Sequence, residues 1–215
     1  MRTSLAIKGI LVAAAAAAPM LCNAESSTQT TSGQTATAHV DFTITIPKFL
    51  FLRVGTGPNY VAGVYTPNGP VDSITWTLTT ANLGTGPIAG TGGDVAPAGT
   101  ETAALICNSG NSVTFSSTTT GALTDTTADS ISFANITVAP PAAPITAGYT
   151  TLLPPALVDG GTTTTSVTGA GHVVKADAKW TYSYANNSVP AGGVYGGGGV
   201  GNTGNGRVTY TATMP

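Results

Sequence analysis

Two histidines, His39 and His172, are the only imidazoles in the chain, and they stand far apart in sequence. A general base must come within hydrogen-bond reach of its nucleophile, and glycoside chemistry needs two carboxylates at one site. His39 falls on the polar side of an alternating ribbon and His172 opens a strand, so both are expected in solvent. The acids Asp41, Asp72, Asp94, Glu101, Asp125, Asp129, Asp159 and Asp177 are scattered, mostly in turns. Neither an HExxH pattern, nor a nucleophile elbow, nor a cysteine pair for zinc occurs. "DTTAD", residues 125 to 129, offers calcium two carboxylates but lacks the alternating ligands and closing glutamate of an EF-hand. "GVGNTG", residues 199 to 204, has the GxGxxG spacing, yet a phosphate cradle needs a helix N-terminus behind it. Here the glycines lead into "RVTYTATM", a strand pattern. The expectation is a non-enzymatic protein with no catalytic, cofactor-binding or metal site.

Composition places the chain outside the cell. Met1, Arg2 and Lys8 precede an apolar run through Leu21 and the small-residue ending Cys22-Asn23-Ala24. Residues 1 to 24 therefore read as a secretory signal peptide cleaved near Ala24, and the run is too short to span a bilayer. Leu21 stands before Cys22 where lipoprotein processing needs a small residue, which argues against lipidation. No later segment is long and apolar enough for a helical membrane span. The mature chain carries five Lys+Arg against nine Asp+Glu, a formal charge of −4, which makes nucleic acid an unsuitable partner. The expected location is the periplasm in transit and the cell surface or extracellular space at the end. After cleavage only Cys107 remains, closing the apolar segment "TAALIC"; burial as a small hydrophobe is expected.

The elements that follow are strands. "SITWTLT" sets Ile74, Trp76 and Leu78 on one face, and "SVTFSS" sets Val113 and Phe115 together. "SISFANITV" changes phase between Phe133 and Ile136, as a β-bulge would. "HVVKADAKWTYSYAN" alternates Val174, Ala176, Ala178, Trp180, Tyr182 and Tyr184 with polar residues. Its expected partner is the terminal strand, with Val208, Tyr210, Ala212 and Met214 facing inward, joined through the Gly-rich residues 186 to 206. Turn clusters such as "PNGP", "GTGGD" and "PPAAP" separate these segments. No helical period is sustained. The fold class is all-β, an immunoglobulin-like β-sandwich with Greek-key connections, and a closed barrel is the second choice. Loop tyrosines Tyr60, Tyr65, Tyr149 and Tyr195 keep a monomeric glycan-binding module open as an alternative.

Residues 25 to 35 form a polar leader without periodicity, and residues 36 to 215 a single domain. That domain opens with "AHVDFTITI", in which Val40, Phe42, Ile44 and Ile46 share one face. Such a ribbon must cover a core. It either forms the first strand of its own domain, turning a corner at Pro47, or is lent to a neighbouring molecule. "FLFLRV" beyond Pro47 is apolar on both faces, as in a fully buried strand.

"SVPAGGVY" with "GRVTYTATMP" resembles the closing hairpin of secreted pilin-like subunits of the spore coat U and chaperone–usher type. "TAALICNSGNSVTFSS" is similar to their internal strand–turn–strand, and "AHVDFTITI" to their N-terminal strand. The chain also resembles a group of exported, β-rich proteobacterial proteins without an assigned function. The resemblance implies a fimbria-like surface or adhesive subunit, with itself and a periplasmic chaperone as partners, assembling by strand donation. Three departures stand out. The N-terminal cysteine that would pair with Cys107 is missing, "GGGGVGNTGNG" lengthens the closing hairpin, and Met214 stands where an aromatic is usual.

Overall fold

The computed structural model describes residues 26–61, 64, 67, 69–108, 110, 112–127, 129–139, 141–187, 190–197 and 204–215. The signal-peptide segment, Tyr65 and residues 199 to 203 of the "GVGNTG" motif lie outside the described residues. The chain divides into two units, Met1–Ile46 and Pro47–Pro215. Within the first, residues 26–46 form no strand and are exposed.

The second unit is all-β, with one 3₁₀ turn and no α-helix among the described residues. Its first strands are β1 (Leu50–Val54), β2 (Ile74–Thr75), β3 (Ile88–Ala89), β4 (Thr91–Gly92), β5 (Thr100–Cys107) and β6 (Ser112–Thr119). There follow β7 (Leu123–Thr124), β8 (Ser130–Ile131), β9 (Ile136–Ala139), β10 (Thr150–Thr151), β11 (Gly161–Thr168), β12 (Val174–Tyr184) and β13 (Thr209–Thr213). A six-stranded sheet is organised on β12. One of its edges pairs antiparallel with β5, which pairs in turn with β1, while the last residues of β12 meet β9 and β3 and Ala176 and Asp177 near its start meet β10 in parallel. A three-stranded antiparallel sheet has the order β11–β6–β13, and β2–β4 and β7–β8 form two short ribbons.

Both larger sheets contribute one face to a common core. From β5 come Ala103, Leu105 and Cys107, from β12 Val174, Ala176, Ala178, Trp180 and Tyr182, and from the smaller sheet Val113, Phe115 and Val167. Period-two alternation delivers these side chains to one side, and β-branched and aromatic residues suit the pleat. The Cys107 thiol is free and fully buried.

Three expectations need correction. The phase change in "SISFANITV" is not a bulge: β8 and β9 are separate strands divided by the 3₁₀ turn Phe133–Asn135, which the Ser132 side chain caps by accepting from the Ala134 N–H. The terminal strand does not pair with β12. Both edges of β12 are occupied, and β13 pairs with β6, with Tyr210 opposite Ser117 and Ala212 opposite Phe115. The Gly-rich connection far exceeds the roughly two to five residues of a hairpin loop and reaches the other sheet instead. Finally, β1 is an edge strand rather than a fully buried one. Leu52 and Val54 turn to the core, and Leu50 remains 36% exposed.

Candidate functional site

The two places where strands of the larger sheets approach each other are built differently. At one, β12 lies across from β11, and residues 152–158 run between them. The Leu152 N–H donates to the Asp177 carbonyl at 3.1 Å, and the Trp180 indole N–H donates to the Leu152 carbonyl at 2.8 Å. On the opposite sheet, the Ser117 hydroxyl donates to the Ala156 carbonyl at 2.9 Å, joined there by the Thr163 hydroxyl. The Thr119 hydroxyl donates to the Val158 carbonyl. Pro155 is fully buried and Leu157 packs on the core, so this strap laces the two sheets together.

At the other place, β1 lies across from β13. Each is paired on one edge only, β1 with β5 and β13 with β6, and among the described residues no hydrogen bond joins the two. Leu52 and Val54 on one side and Tyr210, Ala212 and Met214 on the other are only partly buried. This is a seam of half-covered apolar side chains flanked by open strand edges. An open edge presents unpaired backbone groups that template another strand.

The four residues singled out in the ribbon, Val40, Phe42, Ile44 and Ile46, are 74%, 88%, 85% and 75% exposed. The residues expected in a closing hairpin do come together, but across the core. The Trp180 and Tyr210 rings are 5.3 Å apart, Phe115 touches both at 5.9 and 6.0 Å, and the Tyr182 and Tyr210 hydroxyls bond at 3.1 Å. Burial pushes the Tyr210 phenol up to about 12 and Tyr182 higher still. Tyr184 is buried beside Trp76, and Val208 is half-buried.

Beside the end of β1 sits a carboxyl group set that sequence reading passed over. Glu101 is buried in phase with Ala103, Leu105 and Cys107, and its Oε2 meets no hydrogen-bond donor. A Cβ on Gly55 would collide with Asp72 Oδ2 and lie 2.9 Å from Glu101 Oε2, so glycine lets the two carboxyls converge. Burial, the facing Asp72 and the charge of Asp94 push the Glu101 carboxyl up to about 8. Burial also works to raise Asp72, but the Thr56 N–H and hydroxyl, Glu101 and the Arg53 charge hold it below its ordinary value. A protonated Glu101 can then donate to the Asp72 carboxylate. Arg53 pairs with Asp94 at 2.7 Å and reaches Asn59 and the Gly55 carbonyl. The signal was an acid in register with core residues.

His39 is exposed in the ribbon, and His172 is exposed in a turn with φ 65°. The Asp125 carboxylate accepts from the Thr127 N–H and hydroxyl and the Asp129 N–H, and the Thr127 hydroxyl leads in holding it below its ordinary value. No group of three or more metal-ligating side chains forms among the described residues. Tyr60 stacks on Phe49 at 5.2 Å and tilts against Phe51 at 5.6 Å. The Tyr195 hydroxyl donates to the Ala191 carbonyl and the Tyr149 N–H to the Thr146 carbonyl.

No helix among the described residues is long and apolar enough to cross a membrane. No family model, no curated protein and no solved structure matches the chain.

Proposed function

We propose that this chain is an exported, non-enzymatic structural or adhesive subunit of a bacterial surface, an immunoglobulin-like, pilin-like β-sandwich that assembles by strand donation. The observation that carries the reading is a pair of complementary surfaces. Residues 36 to 46 hold four large apolar side chains in strict alternation and in the open, while the β1/β13 seam leaves two strand edges and partly buried core residues. In this reading the ribbon of one copy adds to the seam of the next. Main-chain hydrogen bonds supply affinity, and alternate side chains fill the neighbour's core. Burying Val40, Phe42, Ile44 and Ile46 at roughly 1.5–3 kcal/mol each gives about 6–12 kcal/mol, an upper value because the free ribbon already buries some surface. That rivals the roughly 5–15 kcal/mol stability of a whole domain. A periplasmic chaperone would cover the seam before assembly.

The test is electrophoresis of unheated samples in SDS together with negative-stain microscopy. Wild-type protein is expected to give ladders or filaments, and both deletion of residues 26–46 and the pair Phe42→Asp, Ile44→Asp should give single subunits. A wild-type protein that stays a stable monomer at high concentration overturns the reading. The second reading, a monomeric glycan-binding module, is favoured by the rings of Phe49, Phe51 and Tyr60 gathered beside β1. It requires a glycan-array signal that Tyr60→Ala removes.

A further inference from the structure

The outward face of the three-stranded sheet is paved with hydroxyls. Thr164, Ser116 and Thr211 lie side by side on β11, β6 and β13. The row on one side is Thr162, Thr118 and Thr209, and on the other Ser166, Thr114 and Thr213. All nine positions are exposed or half-buried, while the residues between them turn inward. The chain holds 39 Thr and 14 Ser among 215 residues, about a quarter, so nine of nine is far above its composition. The outward side of β12 shows that composition does not force this. There exposed Lys175 and Lys179 and buried Asp177 share the face with Thr181 and Ser183.

Strand geometry converts these rows into a lattice. Neighbouring strands stand about 4.8 Å apart, and alternate residues along a strand are roughly 6.5–7 Å apart. Threonine is stiff at χ1, so the hydroxyls and methyls of the seven threonines keep a fixed place, while Ser116 and Ser166 carry a hydroxyl alone. Two hydroxyls, Thr118 and Thr162, bond to each other at 2.8 Å. A hydroxyl offers one donor and two acceptor sites, so those in the pair still hold further capacity. No charged side chain interrupts the nine positions, which removes the groups that would recognise an anion, a nucleic acid or an anionic membrane. No aromatic ring is present either, which removes the stacking platform that an isolated sugar chain needs. What fits a rigid, uncharged, periodic hydroxyl grid is a ligand that is itself a periodic lattice of hydrogen-bonding oxygens.

We propose that this face binds the ordered water of an ice-crystal surface. Sheet twist of about 20–25° per strand confines the best match to the rows around the central strand. The match is therefore centred on Ser116 in the middle of the grid, with Thr164 and Thr211 as its nearest lateral neighbours. The inference uses the face of the sheet rather than its edge, and it stands independently of strand donation.

The experiment grows ice slowly from a dilute solution of the full protein and measures its concentration in the ice and in the remaining liquid, alongside recrystallisation of ice in a frozen sucrose film. The wild type should partition into ice several-fold above a soluble control protein and hold the ice grains small. Thr164→Lys with Thr211→Lys should reduce both to the control level, with an unchanged circular-dichroism spectrum and unfolding midpoint. Lys175→Ala, on the other sheet, should behave as wild type. Exclusion of the wild type from ice overturns the proposal, as does unchanged partition of the double variant. Should that variant fail to fold, Ser116→Tyr serves as the same test with a neutral side chain. Retention on crystalline cellulose with exclusion from ice would reassign the face to polysaccharide and equally overturn it.

Discussion

Where β12 faces β11, residues 152–158 are bonded to both sheets and the side chains beneath them are sealed. Where β1 faces β13, the same core continues outward but ends in half-covered residues and open strand edges. Leu152 and Trp180 are fully buried, whereas Leu50 keeps 36% of its surface. The two boundaries share a core and a composition, so the difference lies in backbone hydrogen bonding. The strap uses carbonyls that side-chain hydroxyls can reach, and Pro154 and Pro155 bring no N–H groups that would need partners. The seam keeps its main-chain groups available.

Unequal costs of substitution follow from this contrast. The largest is expected for Trp180→Ala, about 3–5 kcal/mol by urea unfolding, because it empties the centre of the core and leaves the Leu152 carbonyl without its donor. Leu152→Ala should cost about 2–5 kcal/mol in the same measurement, as for any fully buried leucine. Leu52→Ala should cost less than half as much in the isolated subunit, since that side chain is already part exposed. Equal costs for the two leucines would mean that the seam is as closed as the laced side, and the contrast would fail.

Glu101 gives the pH dependence. Its folded value, about 8, lies above its ordinary 4.5, so between those values the folded protein holds a proton that the unfolded chain has released. Stability must then fall as pH rises through that window and level off above it. Unfolding midpoints measured from pH 4 to 9 should show the decline in wild type and a reduced slope in Glu101→Gln, whose amide can donate to Asp72 at any pH. The smallest effect is expected at the strap, where Ser117→Ala should cost about 1 kcal/mol for its bond to the Ala156 carbonyl.

Much of the architecture was legible wherever alternation was unbroken. The inward residues of β12 could be read because apolar and polar positions alternate along it, although the strand starts at Val174 rather than at His172, and Val113 and Phe115 on β6 for the same reason. Alternation specifies a face, not a neighbour, so the partner of β13 was misassigned although Tyr210, Ala212 and Met214 were placed correctly on the inward side. β11 escaped notice because "GTTTTSVT" puts threonine on both faces. Its inward Thr163 is accommodated by bonds to Ser117 and Ala156 that no local pattern announces. The strap has no period, and the hydroxyl rows depend on lateral register between strands remote in sequence. The alternation of residues 36 to 46 was visible in the sequence, yet these residues form no strand, and the chain divides into its two units at Pro47.

The Pro-containing strap has a consequence for symmetry. In the proposed assembly the strap closes one boundary, so the ribbon of one copy would enter its neighbour through the β1/β13 seam. A contact between two different patches of identical subunits is heterologous, so repeating it yields rings only when the rotation happens to close and otherwise an open, directional chain. Lacing one side of the core thus gives an assembly built through the other a polarity, with one end that can still receive and one that can only give.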